Sequence, residues 1–145
     1  MNENAELANF IYQNSQMGVN TINQLIDIVE DDQGEFKKYL GNHLNGYRDI
    51  HTKAKELLNK NGYDEKGIGR LAKIRTYLMI NIQTLTDKSP SHIAKMLIVG
   101  SNMGIIDAVE NIKKYKDVAE KDIVELMERL LKFEEDNVQQ LKKFL

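Results

Sequence analysis

Met96-Leu97-Ile98-Val99-Gly100-Ser101-Asn102-Met103-Gly104-Ile105-Ile106-Asp107-Ala108-Val109 decides the reading of this chain, because it is long enough for a helix and apolar on nearly every side. A helix resting on one core needs a single apolar stripe, so one that is apolar all round must be covered on several faces. The stretch therefore predicts a helical bundle with this segment inside it. Working outward, Ser89-Pro90 supplies an N-cap and a first-turn proline, and Tyr115 marks the far end of the same helix.

The remaining chain carries three- and four-residue apolar spacing with one proline and no strand-like alternation, which predicts an all-α protein. A first helix is expected from about Ala5 to Glu30. A second follows a capping-box pattern at Asp32-Gln33-Gly34-Glu35, carries Phe36, Leu40, Leu44, Ile50, Ala54 and Leu58, and stops at Asn59-Lys60-Asn61-Gly62. A third runs from about Gly67 to Thr86. The last begins at a second capping-box pattern, Asp117-Val118-Ala119-Glu120, and repeats Ile123, Leu126, Leu130, Phe133 and Leu141. Short connections predict an up-and-down bundle of four or five helices, one domain spanning residues 1–145.

At 145 residues the chain can bury a core without staples, and zero cysteines exclude disulfides, thiolate metal sites and cysteine nucleophiles. The net charge of -2 is spread along the chain with no basic block, which argues against nucleic-acid binding. The first residues lack the basic and apolar regions of a secretion signal, and no long uninterrupted apolar run is present, so a cytoplasmic protein without a membrane span is expected. There is no Walker loop and no Gly-x-Ser-x-Gly elbow, which points away from an enzyme of those classes.

Two constellations stand out. Projected at about 100° per residue, His43, Tyr47 and His51 of the second helix fall near the centre of its apolar stripe. Antiparallel pairing sets Gly18 level with Tyr47, Asn14 near His51 and Thr21 near His43, while Ser101, Glu134 and Asn137 lie on the apolar sides of their helices. This is a polar seam in the core, centred on Asn14, Tyr47 and Ser101. One reading makes it a set of mutually hydrogen-bonded groups that fix register. The other makes His43, His51 and Glu134 ligands for iron, manganese or zinc, although the two histidines stand roughly 12 Å apart along a helix. The second constellation is a face of the fourth helix: with Leu97, Ser101, Ile105 and Ala108 inward, Met96, Gly100, Met103 and Asp107 lie opposite. A homodimer partner, the third helix, or an amphipathic helix of another protein would cover it. His92 sits in the first turn of that helix, where an anion or simple surface exposure would suit it, and Arg75 flanks the third helix's stripe as a partner for Glu134 or a snorkelling edge residue.

The helix pattern, the closing Phe133-Glu134-Glu135-Asp136-Asn137-Val138-Gln139-Gln140-Leu141-Lys142 stretch, and the segments Ser91-His92-Ile93-Ala94-Lys95-Met96 and Gly100-Ser101-Asn102-Met103-Gly104-Ile105-Ile106-Asp107 resemble a bacterial family of ferritin-like helical bundles. The resemblance implies that fold. Ferritin-like di-iron enzymes use Glu-x-x-His pairs, and no glutamate stands three residues before His43, His51 or His92, so no ligand set carries over. A non-catalytic interaction or structural module, dimeric through its fourth helix, is the expectation, with a metal-binding or redox bundle as its alternative.

Overall fold

The computed structural model describes residues 2–65 and 71–145, and among these every element is helical. The order is α1 (Glu3–Ile28), α2 (Gly34–Lys60), α3 (Ala72–Gln83), α4 (Pro90–Tyr115) and α5 (Lys121–Leu141), closed by a 3-10 turn at Lys142–Phe144. Buried side chains from all five helices form one continuous core.

Local chemistry explains most of the boundaries. Asn2 caps α1 by accepting from the amides of Asn4 and Ala5 at 3.0 and 3.2 Å, which starts this helix earlier than the expected Ala5. Ser89 caps α4 through the amide of His92 at 3.2 Å, with Pro90 in the first turn. At the end of α2, Gly62 takes a φ of +72°, and the amide of Tyr63 reaches back to the carbonyl of Leu58 at 2.9 Å. That left-handed closure is easy only for glycine. The two capping boxes do not form: Gln33 holds the N-cap position of α2 and Glu120 that of α5, neither with a side-chain cap bond. Asp32 and Asp117 thus lie outside the helices they were expected to cap. The expected start of the third helix at Gly67 lies outside the described residues, and that helix ends at Gln83 rather than Thr86. The break from Thr84 to Ser89 separates α3 and α4 into two helices.

The helices alternate in direction along the chain, as expected of an up-and-down bundle, while the connection from α2 to α3 is long. The amide of Glu120 donates to Asn4 Oδ1 at 2.6 Å, so the start of α5 and the end of α4 lie beside the start of α1. At the other end, Phe36 of α2 meets Phe144 edge-on with ring centroids 4.9 Å apart. Hence α1 runs parallel to α5, and α2 runs parallel to α4. The link from α2 to α4 must return along the bundle, and α3 lies within this long crossover, packed on α4 and α1. Short connections join only the hairpins α1–α2, α3–α4 and α4–α5.

The all-round apolar character of α4 follows from this placement. By length and mean hydropathy it passes as a membrane span, and within the fold it packs against α1, α3 and α5 instead. Met96 is buried, and a methyl group at Gly100 would lie 3.0 Å from the side chain of Leu78. The expected outer face is therefore partly covered from within the chain, by α3. Met103 and Asp107 are half-buried, while Val99 and Ile106 stay exposed.

Candidate functional site

Two glycines let the polar seam close around α2. A methyl group at Gly18 would stand 2.6 Å from three atoms of the Tyr47 ring, so glycine is what allows α1 to lie against that ring. Gly46 does the same for Phe133 of α5, whose ring passes directly over it. Phe133 then meets Tyr47 edge-on at 4.9 Å and His43 at 5.6 Å, while His43 stacks on Tyr47 at 5.0 Å with planes 19° apart. Three rings thus fix one another in a close-packed wall.

Against that wall lies Glu134, 2% exposed. Tyr47 Oη donates to its Oε1 at 2.5 Å, and the Ser101 hydroxyl supports the same carboxyl from α4. Its other oxygen, Oε2, is buried without a hydrogen-bond partner among the described residues. Burial pushes the Glu134 carboxyl up to about 7, against the opposing effects of the Tyr47 and Ser101 hydrogen bonds. Tyr47 is raised in turn, first by burial and then by the neighbouring carboxylate. Tyr39 behaves likewise, and its hydroxyl donates to Asn137 Oδ1 at 3.1 Å. Among the described residues neither ring nitrogen of His43 has a hydrogen-bond partner, and burial pulls it down to about 3, so it is a neutral aromatic plate.

Glu134, Tyr47, His43 and Ser101 form one side of a small cavity of about 30 Å³. Asn14, Thr21 and Gly18 of α1, Ile74 and Leu78 of α3, and Leu97, Gly100 and Gly104 of α4 complete it. That volume accepts one water-sized group. Met17, Thr21 and Leu78 also line a second, larger cleft of about 190 Å³ between α1 and α3, whose outer residues include Asn20, Gln24, Arg75 and Gln83. Those three buried side chains line both spaces.

The structure brings together Asn14, Tyr47, Ser101, His43 and Glu134, and it separates His51 from them. His51 is half-buried and packs its ring on Tyr12 at 4.5 Å, whereas Asn14 lies against Gly104 at the cavity. His51 is lowered by burial and by the charge of Lys55. Among the described residues no three His, Asp or Glu side chains gather as a metal ion requires, so the trio His43, His51 and Glu134 is not assembled. A ligating histidine usually donates its second ring N–H to a carboxylate or carbonyl, and His43 makes no such bond. Arg75 is exposed at the outer cleft rather than paired with Glu134, and the side chain of His92 is exposed. Sequence reasoning missed the contribution of Phe133 through Gly46, the outer cleft, and the roles of Ile74 and Leu78 in closing the cavity. A bulky residue opposite a helical glycine was the available signal for the first.

Comparison of the chain with protein-family models, with curated proteins and with solved structures gives no match.

Proposed function

We propose that this protein is a non-catalytic binding module of ferritin-like helical-bundle type, and that it binds a small ligand in the cavity between α1, α2, α4 and α5. One observation carries the reading: Glu134, which lines the cavity, is buried, one of its oxygens is held by Tyr47, and the other has no hydrogen-bond partner among the described residues. An unsatisfied buried polar atom costs about 1–3 kcal/mol, and more for a charged group, so its retention calls for a partner from outside the chain. Two helical hairpins joined by one long crossover support the ferritin-like assignment.

The test is a methyl and amide NMR titration with ammonium, methanol and formate, three small probes of different charge. Saturable shifts confined to Met17, Ile74, Leu78, Leu97 and the Gly100–Gly104 turn are expected with at least one probe. Absence of such shifts with all three overturns the binding reading. A second reading, self-association through α4, is favoured by Val99 and Ile106, 39% and 59% exposed on one side of that helix. Sedimentation equilibrium of the native chain tests it, with a monomer at all concentrations as the refuting result.

A further inference from the structure

We propose that the outer cleft between α1 and α3 binds a small aromatic monocarboxylate, with the carboxylate on Arg75 and the ring against Met17 and Met79. This site is separate from the inner cavity, which at about 30 Å³ is too small for such a molecule, and it does not depend on any ligand entering there.

Charge, size and lining select this chemistry. Arg75 lines the cleft, is exposed, and makes no ion pair among the described residues. Asn20, Gln24 and Gln83 add carboxamides, and no aspartate or glutamate is found among the described residues that line the space. Asn20 Oδ1 already accepts from Gln16 Nε2 at 3.0 Å, which leaves the Asn20 N–H groups to donate to a ligand. The cleft thus offers a cation and neutral donors with no competing anion, and a planar guanidinium holds a carboxylate through two parallel bonds. An inorganic anion would leave the remaining space unused, because Met17, Met79 and Ile82 line it with apolar surface. The volume of about 190 Å³ is somewhat more than the ~150 Å³ that admits benzene to an apolar cavity, so a ring with one carboxylate fits. Two methionine thioethers favour contact with an aromatic ring, and Met79, 41% exposed, is apolar surface that such a ring would cover. Since Arg75 is exposed to water its pairing is weak, and millimolar binding with a severalfold preference for the anion is expected.

Methyl NMR titrations of the native chain at pH 7 with benzoate, benzamide and benzylamine, three probes of similar shape and different charge, test the proposal. Benzoate is expected to shift Met79 and Ile82, which line this cleft and not the inner cavity, and to leave Leu97 of the inner cavity unmoved. It should bind about fivefold more tightly than benzamide, with benzylamine weakest of the three. Arg75→Gln should bring benzoate down to the level of benzamide and leave benzamide unchanged; the position is exposed, so the fold should persist. Gln24→Glu, also at an exposed position, sets a carboxylate on the cleft and should weaken benzoate at least threefold while strengthening benzylamine. Raising the salt from about 20 to about 200 mM should remove most of the preference for benzoate over benzamide. Equal binding of benzoate and benzamide by the native chain, a benzoate preference that survives Arg75→Gln, or acetate binding as tightly as benzoate overturns the proposal. So does the absence of shifts at Met79 and Ile82 up to about 20 mM benzoate.

Discussion

Replacing Glu134 by glutamine should convert a flat pH–stability profile into a steep one. The carboxyl moves from about 4.5 in the unfolded chain to about 7 in the fold, so between those values the native state holds the extra proton. Its contribution is fully present below pH 4.5 and is lost as the pH rises to about 7. At about 1.4 kcal/mol per pH unit this amounts to roughly 3 kcal/mol. His43 acts in the opposite sense. It moves from 6.5 to about 3, so the native state refuses a proton that the unfolded chain accepts. Its contribution is present above pH 6.5 and is lost on acidification towards pH 3, roughly 5 kcal/mol in all. Neither shift draws on the charge of the other group. From pH 4.5 to 6.5 the two slopes cancel, and wild type should show a plateau from this pair.

Urea denaturation followed by circular dichroism from pH 3.5 to 8 reads the effect as the difference between variant and wild type. In Glu134→Gln, stability should climb with pH by about 1.4 kcal/mol per unit up to pH 6.5, the uncompensated slope of His43. In His43→Phe, which keeps an aromatic plate between Tyr47 and Phe133, stability should fall between pH 4.5 and 7. Asp31, Asp49 and Asp87 on the surface, held low by Lys37, Arg129 and Ser89 respectively, are common to every variant and drop out of the difference. A Glu134→Gln difference curve that stays flat from pH 4.5 to 7 would refute the burial of Oε2.

The same packing sets other outcomes. Gly18→Ala drives a methyl into the Tyr47 ring and should cost about 1–3 kcal/mol, with thermal denaturation as the readout and an unchanged midpoint as the refutation. Tyr47→Phe removes the phenol that donates to Glu134 Oε1; a loss of about 1–3 kcal/mol above pH 7 is expected, shrinking on acidification. Ser89→Ala removes the α4 cap and should cost about 1 kcal/mol in chemical denaturation. Ile106→Glu should leave stability within about 0.5 kcal/mol, since the side chain is exposed, while reducing any self-association seen by sedimentation.

Much of the seam was legible because helix geometry fixes angles. His43 and Tyr47 are four residues apart, about 40° around α2, and both reach the core. His51 is eight residues from His43, about 80° around, and that drift carries it off the stripe towards Tyr12. Glu134 read as inward from its place beside Leu130 and Val138, and it is buried. The cavity itself was not legible, since Ile74 and Leu78 close it from a helix that pairs with α1 and α4 only after the chain has crossed the bundle. Periodicity reports which face is buried and says nothing about which end of the bundle a connection reaches. The fourth helix shows the same limit, for its double-sided apolar surface was evident while the identity of the covering element, α3 at Gly100, depended on tertiary packing.

The most direct measurement is the titration of the Glu134 side-chain carboxyl carbon by NMR. A midpoint near 7 is the expected result. A midpoint near 4.5 would mean that the Glu134 carboxyl faces bulk water, and the account of the buried seam would be wrong.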